Sequence, residues 1–337
     1  MRHPSAMRPS APTQAARPWA QAWQAALYAE DGFYRRAAPA AHFATSAQGI
    51  PGGGELLARA VVMLAERHGC SRIVDLGCGR GELLARLRVL DPGLHLTGVD
   101  VVERPEGLEV DTWIVSPGGP TLPAALRDLQ DTLVLAHEWL DVVPCPVVAR
   151  DEHGVWRAPS VHPDGTETPG PVLDGDDLAW AERWLDRAVR GEVGLTREAA
   201  LADLLSRVQT GLVVVVDYGH ETADRPAHGT LTGFRAGREV PPVPDGSCDL
   251  TAHLAVDALL ASLARDVEAH RQRDLLTDLL GDPAPPVPHN LASTDPAAYL
   301  TALARCSALA TLTGGALGDF WWLLVPVPRP APPPGLG

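Results

Sequence analysis

Residues 74–82 read Val-Asp-Leu-Gly-Cys-Gly-Arg-Gly-Glu, with glycines at 77, 79 and 81. Glycines spaced this way let the backbone pass close to a ligand and turn N–H groups toward it. The dinucleotide pattern Gly-x-Gly-x-x-Gly does not fit, because the third glycine, Gly81, comes one residue early and Asp75 precedes the loop. A second reactive group is Ala136-His137-Glu138-Trp139-Leu140-Asp141. Two carboxylates three residues apart, past the end of a strand, could grip a cation and later take up its proton. Further on, Asp217-Tyr218-Gly219-His220 follows a run of valines, and Asp249, Thr251 and His253 come next. His220 is a candidate proton acceptor near neutral pH.

The elements that must position these groups alternate regularly. Arg72–Leu76 is a short β-branched run, then the glycine loop, then a helix over Glu82–Leu90 stopped by Asp91-Pro92-Gly93. Leu94–Val99 and Thr112–Val115 read as strands, Leu122–Leu129 as a helix, and Thr132–His137 and Leu212–Val216 as further strands. This rhythm predicts an α/β fold, a mostly parallel sheet with helices on both faces. Before it, Trp19–Glu30 and Gly54–His68 have helical spacing; after it, Thr251–Leu263 and Asp295–Leu309 are helices and Phe320–Val327 is a strand. A hairpin over Val147–Ala158 and helices over Asp176–Leu185 and Thr196–Gln209 interrupt the rhythm. The expected division is a disordered tail (1–18), an N-terminal helical arm (19–70), a sheet domain (71–327) with an inserted lobe near 145–209, and a Pro-rich tail (328–337).

The balance of 28 basic against 42 acidic residues, a net charge of −14, argues against a nucleic-acid partner. Five scattered cysteines, with no Cys-x-x-Cys, suit a reduced cytoplasmic compartment rather than a disulfide framework or a zinc site. The 12 histidines form no cluster at ligand spacing. No apolar run approaches the roughly 18 residues of a membrane span.

Val-Asp-Leu-Gly-Cys-Gly-x-Gly resembles the first motif of class I S-adenosylmethionine-dependent methyltransferases. The resemblance implies a Rossmann-like fold and a loop that cradles the methionine end of the cofactor, with Asp75, Gly77, Gly79 and Gly81 in contact. It also implies that Asp100, closing the next strand, pairs with the ribose hydroxyls, since a carboxylate can accept from two neighbours. Six further stretches, Ala26-Leu27-Tyr28…Tyr34, Phe43–Ser46, Ala136–Pro144, Val216–His220, Gly229–Leu231 and Gly246–His253, resemble the MidA family over Trp19–Val327. That family includes the mitochondrial complex I assembly factor that methylates an arginine on a core subunit. The chain departs from it at His137, where the family has Asn, and at Ser46-Ala47-Gln48, where it has Ser-Pro-Glu.

The resemblance implies methyl transfer to a protein arginine. The rival acceptors are a small molecule or another protein side chain, and a cofactor-binding assembly factor without turnover is a rival of another kind. For a guanidinium acceptor, Glu138 and Asp141 are the expected pair, His220 the expected proton acceptor, and His137, Asp217 and Tyr218 the expected walls of the acceptor pocket. The competing account has Asp141 cap the next segment and Glu138 pair with an arginine. Asp249 and Thr251 read as helix caps, and Glu55 as a first-turn acid beside a helix dipole.

Overall fold

A computed structural model describes residues 15–36, 49–282 and 287–329. Phe43–Ser46, Gln48 and most of both expected tails lie outside the described residues. In chain order the principal elements are α1 (Trp19–Tyr28), α2 (Gly53–Arg67), β1 (Arg72–Leu76), α3 (Glu82–Leu90), β2 (His95–Asp100), β3 (Thr112–Val115) and β4 (Thr132–His137). There follow α4 (Gly175–Trp184), α5 (Leu195–Arg207), β5 (Gly211–Asp217), α6 (Val256–Ser262), β6 (Glu268–Arg271), α7 (Gln272–Leu280), α8 (Pro296–Thr313) and β7 (Trp321–Val327).

Seven strands form one sheet in the order β3-β2-β1-β4-β5-β7-β6. β1 to β5 pair in parallel, and β7 runs antiparallel between β5 and β6. Strands Thr132–His137 and Leu212–Asp217 are buried throughout, which explains their nearly unbroken apolar sequence. On one face α2, α3, α7 and α8 bury Leu57, Leu64, Leu84, Leu276 and Leu309 against the sheet. On the other, α5 and α6 bury Leu201, Leu204 and Leu259. The chain builds β1, β2 and β3 in one direction and then returns to add β4 on the other side of β1. In open α/β sheets the crevice at such a reversal, beyond the carboxyl ends of the strands, is where ligands bind.

Two expected helices are corrected. Leu122 and Leu126 are buried four residues apart, which imitates helical spacing, yet 122–129 is an irregular segment. Pro123 lacks a donor, Asp128 has φ of +55°, and the Arg207 guanidinium takes the carbonyls of Pro123 and Leu126. The helix expected from Thr251 begins only at Val256, because Asp249–Thr251 pairs antiparallel with Thr232–Phe234. Asp249 and Thr251 are therefore strand residues and cap nothing.

Within the 145–209 span, Val147–Arg150, Trp156–Arg157 and Arg190–Glu192 form a three-stranded sheet over a small core of Trp156, Trp180 and Leu185. α5 lies in the same span but packs on the main sheet. Arg17–Pro18, ahead of α1, pairs with Ser160–Val161 and so joins the arm to the lobe.

Candidate active site

A cavity of about 380 Å³ opens at the reversal between β1 and β4, a size in the usual range for small-ligand sites. The glycine loop forms its floor. Gly77, Gly79 and Gly81 have φ of +75°, +60° and +79°, the left-handed region that side chains resist. At Gly81 a Cβ would also stand 2.5 Å from Leu108 Cδ2. Gly81 sits at the start of α3 and outside the cavity lining, whereas Asp75, Gly77, Gly79 and Asp100 line it.

Asp100 Oδ2 accepts from the Gly79 amide at 2.7 Å, and Oδ1 from the Val102 amide at 3.3 Å. An ionised carboxylate has about four lone-pair directions, so these bonds orient the group and leave acceptors for two vicinal hydroxyls. Burial pushes Asp100 up to about 6 and Asp75 up to about 7, with Asp100 and Glu82 adding to the rise at Asp75.

His137 and Glu138 close the far end. Burial lowers His137 to about 4, so its ring is neutral near pH 7, and its Nε2 lies 3.7 Å from Glu138 Oε1. Glu138 has φ of +52° and donates its amide to the Val216 carbonyl at 2.8 Å. A non-glycine residue in this conformation persists only where its surroundings hold it there.

The arm covers the cavity. Tyr28 Oη donates to the Val142 carbonyl at 3.1 Å, and Arg35 Nη1 to the Val101 carbonyl at 2.9 Å. At Gly118, in the turn after β3, a Cβ would stand 2.1 Å from the Tyr28 ring. Sequence reasoning missed Arg35, Ser116, Gly118, Gly119 and Trp139 as lining residues. The Ser-Pro-Gly-Gly run directly after a strand was the available signal for three of them.

The other expected site residues lie elsewhere. Asp141 and Asp217 are behind the cavity wall, 3% and 1% exposed. Asp141 Oδ2 accepts from Thr251 Oγ1 at 2.6 Å, and Asp217 Oδ2 from the Leu140 amide at 3.0 Å. Tyr218 is packed between Phe320 and His253, its ring centroid 4.1 and 5.6 Å from theirs. His220 Nδ1 accepts from Arg225 Nε at 3.3 Å, and burial, then Arg225, lowers the ring to about 4. It faces a separate void of about 20 Å³ beside α5, so it is not placed to take a proton in the main cavity. Asp249 accepts from Tyr34 Oη at 2.7 Å, and Glu55 pairs with Arg59 on the surface. Among the described residues no cluster of His, Cys, Asp or Glu could hold a metal ion, and no helix is long and apolar enough to cross a membrane.

Residues 120–273 match a family model whose description reads "Putative S-adenosyl-L-methionine-dependent methyltransferase". A protein of Burkholderia thailandensis solved with S-adenosylhomocysteine bound superposes with a TM-score of 0.71 at 22% identity, over 92% of this chain and 88% of that one. A native crystal structure from the same superfamily and bacterium gives 0.67 at 22% identity, over 92% and 87%. No curated protein matches the chain. At these identities the structural likeness establishes the fold, that of a class I methyltransferase. Together with the family match it supports an S-adenosylmethionine-dependent methyltransferase.

Proposed function

We propose that this chain transfers a methyl group from S-adenosylmethionine to a protein arginine side chain, on a respiratory complex I subunit as the MidA resemblance implies. The observation that carries the reading is a single cavity lined by the glycine cradle and Asp100 at one end and by Glu138 at the other. Asp75, Gly77 and Gly79 would hold the methionine end of the cofactor, and Asp100 its ribose hydroxyls. The lining acids Asp75, Asp100, Glu103 and Glu138 stand against the bases Arg35, Arg36 and Arg80, and a sulfonium would sit best beside Asp75, Asp100 and Glu138.

When bound, the cofactor supplies an electrophilic methyl on a sulfonium that leaves as a neutral thioether. The chain's task is to hold a guanidinium nitrogen in line with that methyl and to exclude water. The Glu138 carboxylate would fix the guanidinium by charge-assisted hydrogen bonds and draw its charge away from the attacking nitrogen. As the N–C bond forms and the C–S bond breaks, the nitrogen must shed a proton, and Glu138 Oε is the acceptor. Neutral His137 beside Glu138 raises no competing positive charge.

Calorimetry with S-adenosylhomocysteine, followed by mass spectrometry of co-purified protein after incubation with S-adenosylmethionine, tests the reading. D100A is expected to lose about 100-fold in cofactor affinity, the worth of two hydrogen bonds to a charged group. E138Q is expected to bind normally and to lose about 100-fold or more in the rate of +14 Da transfer to arginine, the lower end for a general base. Wild-type binding without any transfer would favour the assembly role; transfer unchanged in E138Q would remove Glu138 from the reaction.

A further inference from the structure

Beneath the Glu138 turn, two acids meet in a dry environment. Asp217 Oδ2 is taken by the Leu140 amide and Asp141 Oδ2 by the Thr251 hydroxyl. The remaining oxygens, Asp141 Oδ1 and Asp217 Oδ1, are fully buried and have no hydrogen-bond partner of good geometry. The two carboxyls lie within hydrogen-bonding distance of each other. Two carboxylates cannot both stay ionised in such contact away from water. The nearby cation, Arg197, gives its N–H groups to the main-chain carbonyls of Asp141, Val143 and His253; its charge acts on Asp141 through space and lowers it less than burial raises it, and the sequence contains no lysine.

We propose that Asp141 and Asp217 form a carboxyl–carboxylate pair that shares one proton and, through the Leu140 amide, positions the turn that carries Glu138. The shared proton supplies the one donor that both Oδ1 atoms lack. The anchored amide lies two residues beyond Glu138, whose own amide is fixed to β5, so both ends of the left-handed residue are tied to the same strand. Asp141 and Asp217 are then positioning residues, not ligands of the acceptor. The positioning role rests on the reading of the cavity given above; the shared proton does not.

The groups facing the pair are Glu138 on the turn, Arg197 on α5, Tyr218 beyond β5, Asp249 and His253 on the neighbouring segment, and Tyr28 and Tyr34 on the arm. Both acids are raised above their ordinary range, first by burial. A proton is therefore retained on folding, and the pair's contribution to stability is lost as pH rises above the unfolded carboxyl value of about 4.

The test compares D217N with the full-length wild type, because an asparagine amide can donate to Asp141 Oδ1 and its oxygen can accept from Leu140 with no proton to retain. Thermal unfolding is expected to agree within about 2 °C at pH 4.5, with D217N rising about 5 °C or more above wild type by pH 8. The other raised acids are common to both proteins and cancel. Affinity for S-adenosylhomocysteine at pH 7.5 is expected to stay within about threefold in D217N and to fall about tenfold or more in D217A, or in D217S if D217A does not fold. A stability deficit in D217N that is independent of pH would overturn the shared proton. Wild-type affinity in D217A or D217S would overturn the positioning role. If wild type itself ignores S-adenosylhomocysteine, the cofactor reading fails and the positioning role with it, while the stability comparison still decides the proton.

Discussion

One wall of the cavity, residues 75–80 with 99–102, is made by two adjacent strands and the turn between a strand and its helix; its key contact, Gly79 to Asp100, spans 21 residues. The opposite wall, formed by His137, Glu138, Trp139 and Val142, belongs to a turn held from behind by Asp217, Arg197 and Thr251, which lie 77, 56 and 110 residues from their partners. The first wall is local backbone geometry enforced by glycine. The second is a strained turn pinned by buried polar groups that the chain gathers from β5, α5 and the Asp249–Thr251 strand. The lobe adds a further clamp, since Glu192 accepts from the amides of Thr230 and Leu231, just ahead of the Thr232–Arg235 strand that pairs with Asp249–Thr251. Damage to the first wall should therefore be felt by the ligand, and damage to the second by the fold as well.

The largest expected effect breaks the second wall. Arg197 is 3% exposed and satisfies three carbonyls, those of Asp141, Val143 and His253. R197M fills similar space but leaves the Val143 and His253 carbonyls without a donor, while that of Asp141 keeps only the Ala252 amide at 3.1 Å; each buried unsatisfied carbonyl costs about 1–3 kcal/mol. A loss of about 3–5 kcal/mol in denaturant unfolding is expected. R197K should recover only part of it, because an ammonium cannot reproduce the planar fork. In D100A, by contrast, stability should change by about 1 kcal/mol or less beyond the loss of two part-buried amide bonds, although ligand affinity falls steeply. Equal stability losses in the two variants would erase the distinction between the walls.

A pH titration sharpens the comparison from the ligand's side. Asp75 and Asp100 are raised by burial to about 7 and about 6. Between pH 5.5 and 8 they ionise, so affinity for the cationic S-adenosylmethionine should rise by about tenfold, one pKa unit's worth of interaction. S-adenosylhomocysteine, neutral at sulfur, should gain clearly less. The stability of the free protein moves the other way: acids whose folded values are raised bind protons on folding, and their contribution declines as pH climbs from about 4 to 7. Isothermal calorimetry on both ligands, with thermal unfolding on the free chain, reads the two opposed slopes. Parallel slopes for the two ligands would mean that the acids do not face the sulfur.

The contrast also explains what the amino-acid sequence reveals. Strands β1 to β5 and the glycine loop are legible because period, β-branching and turn residues are local properties, and Asp75, Gly77 and Asp100 come with them. Leu122 and Leu126 mislead because a coil can bury residues at helical spacing when Arg207 satisfies its carbonyls. Asp217 closes β5 and Asp141 and His220 come within a few residues of strand ends, where ligand-facing residues are expected. What local pattern does not carry is the return of Thr251 onto Asp141, the capture of Asp217 by the Leu140 amide, or the docking of Arg225 on His220. Tyr28 and Arg35 reach the cavity from an arm more than 35 residues before β1 in the case of Arg35, a placement fixed by tertiary packing alone.

That arm offers the smallest and most selective prediction, because it touches both walls at once. Arg35 binds the Val101 carbonyl beside Asp100, while Tyr28 binds the Val142 carbonyl at the end of the Glu138 turn. Tyr28 is 8% exposed, and burial raises its hydroxyl far above the ordinary phenol range, so it acts as a neutral donor. Y28F keeps the ring that fills the space against Gly118 and removes only the hydrogen bond, worth about 1 kcal/mol. If the arm merely covers the cavity, unfolding should shift by that amount and S-adenosylhomocysteine affinity should hardly change. If the arm also fixes the second wall against the ligand, affinity should drop by about fivefold, the binding equivalent of the same bond. Comparing Y28F with D217A then separates the two supports of the turn, since one acts on its far end through a carbonyl and the other on its centre through an amide.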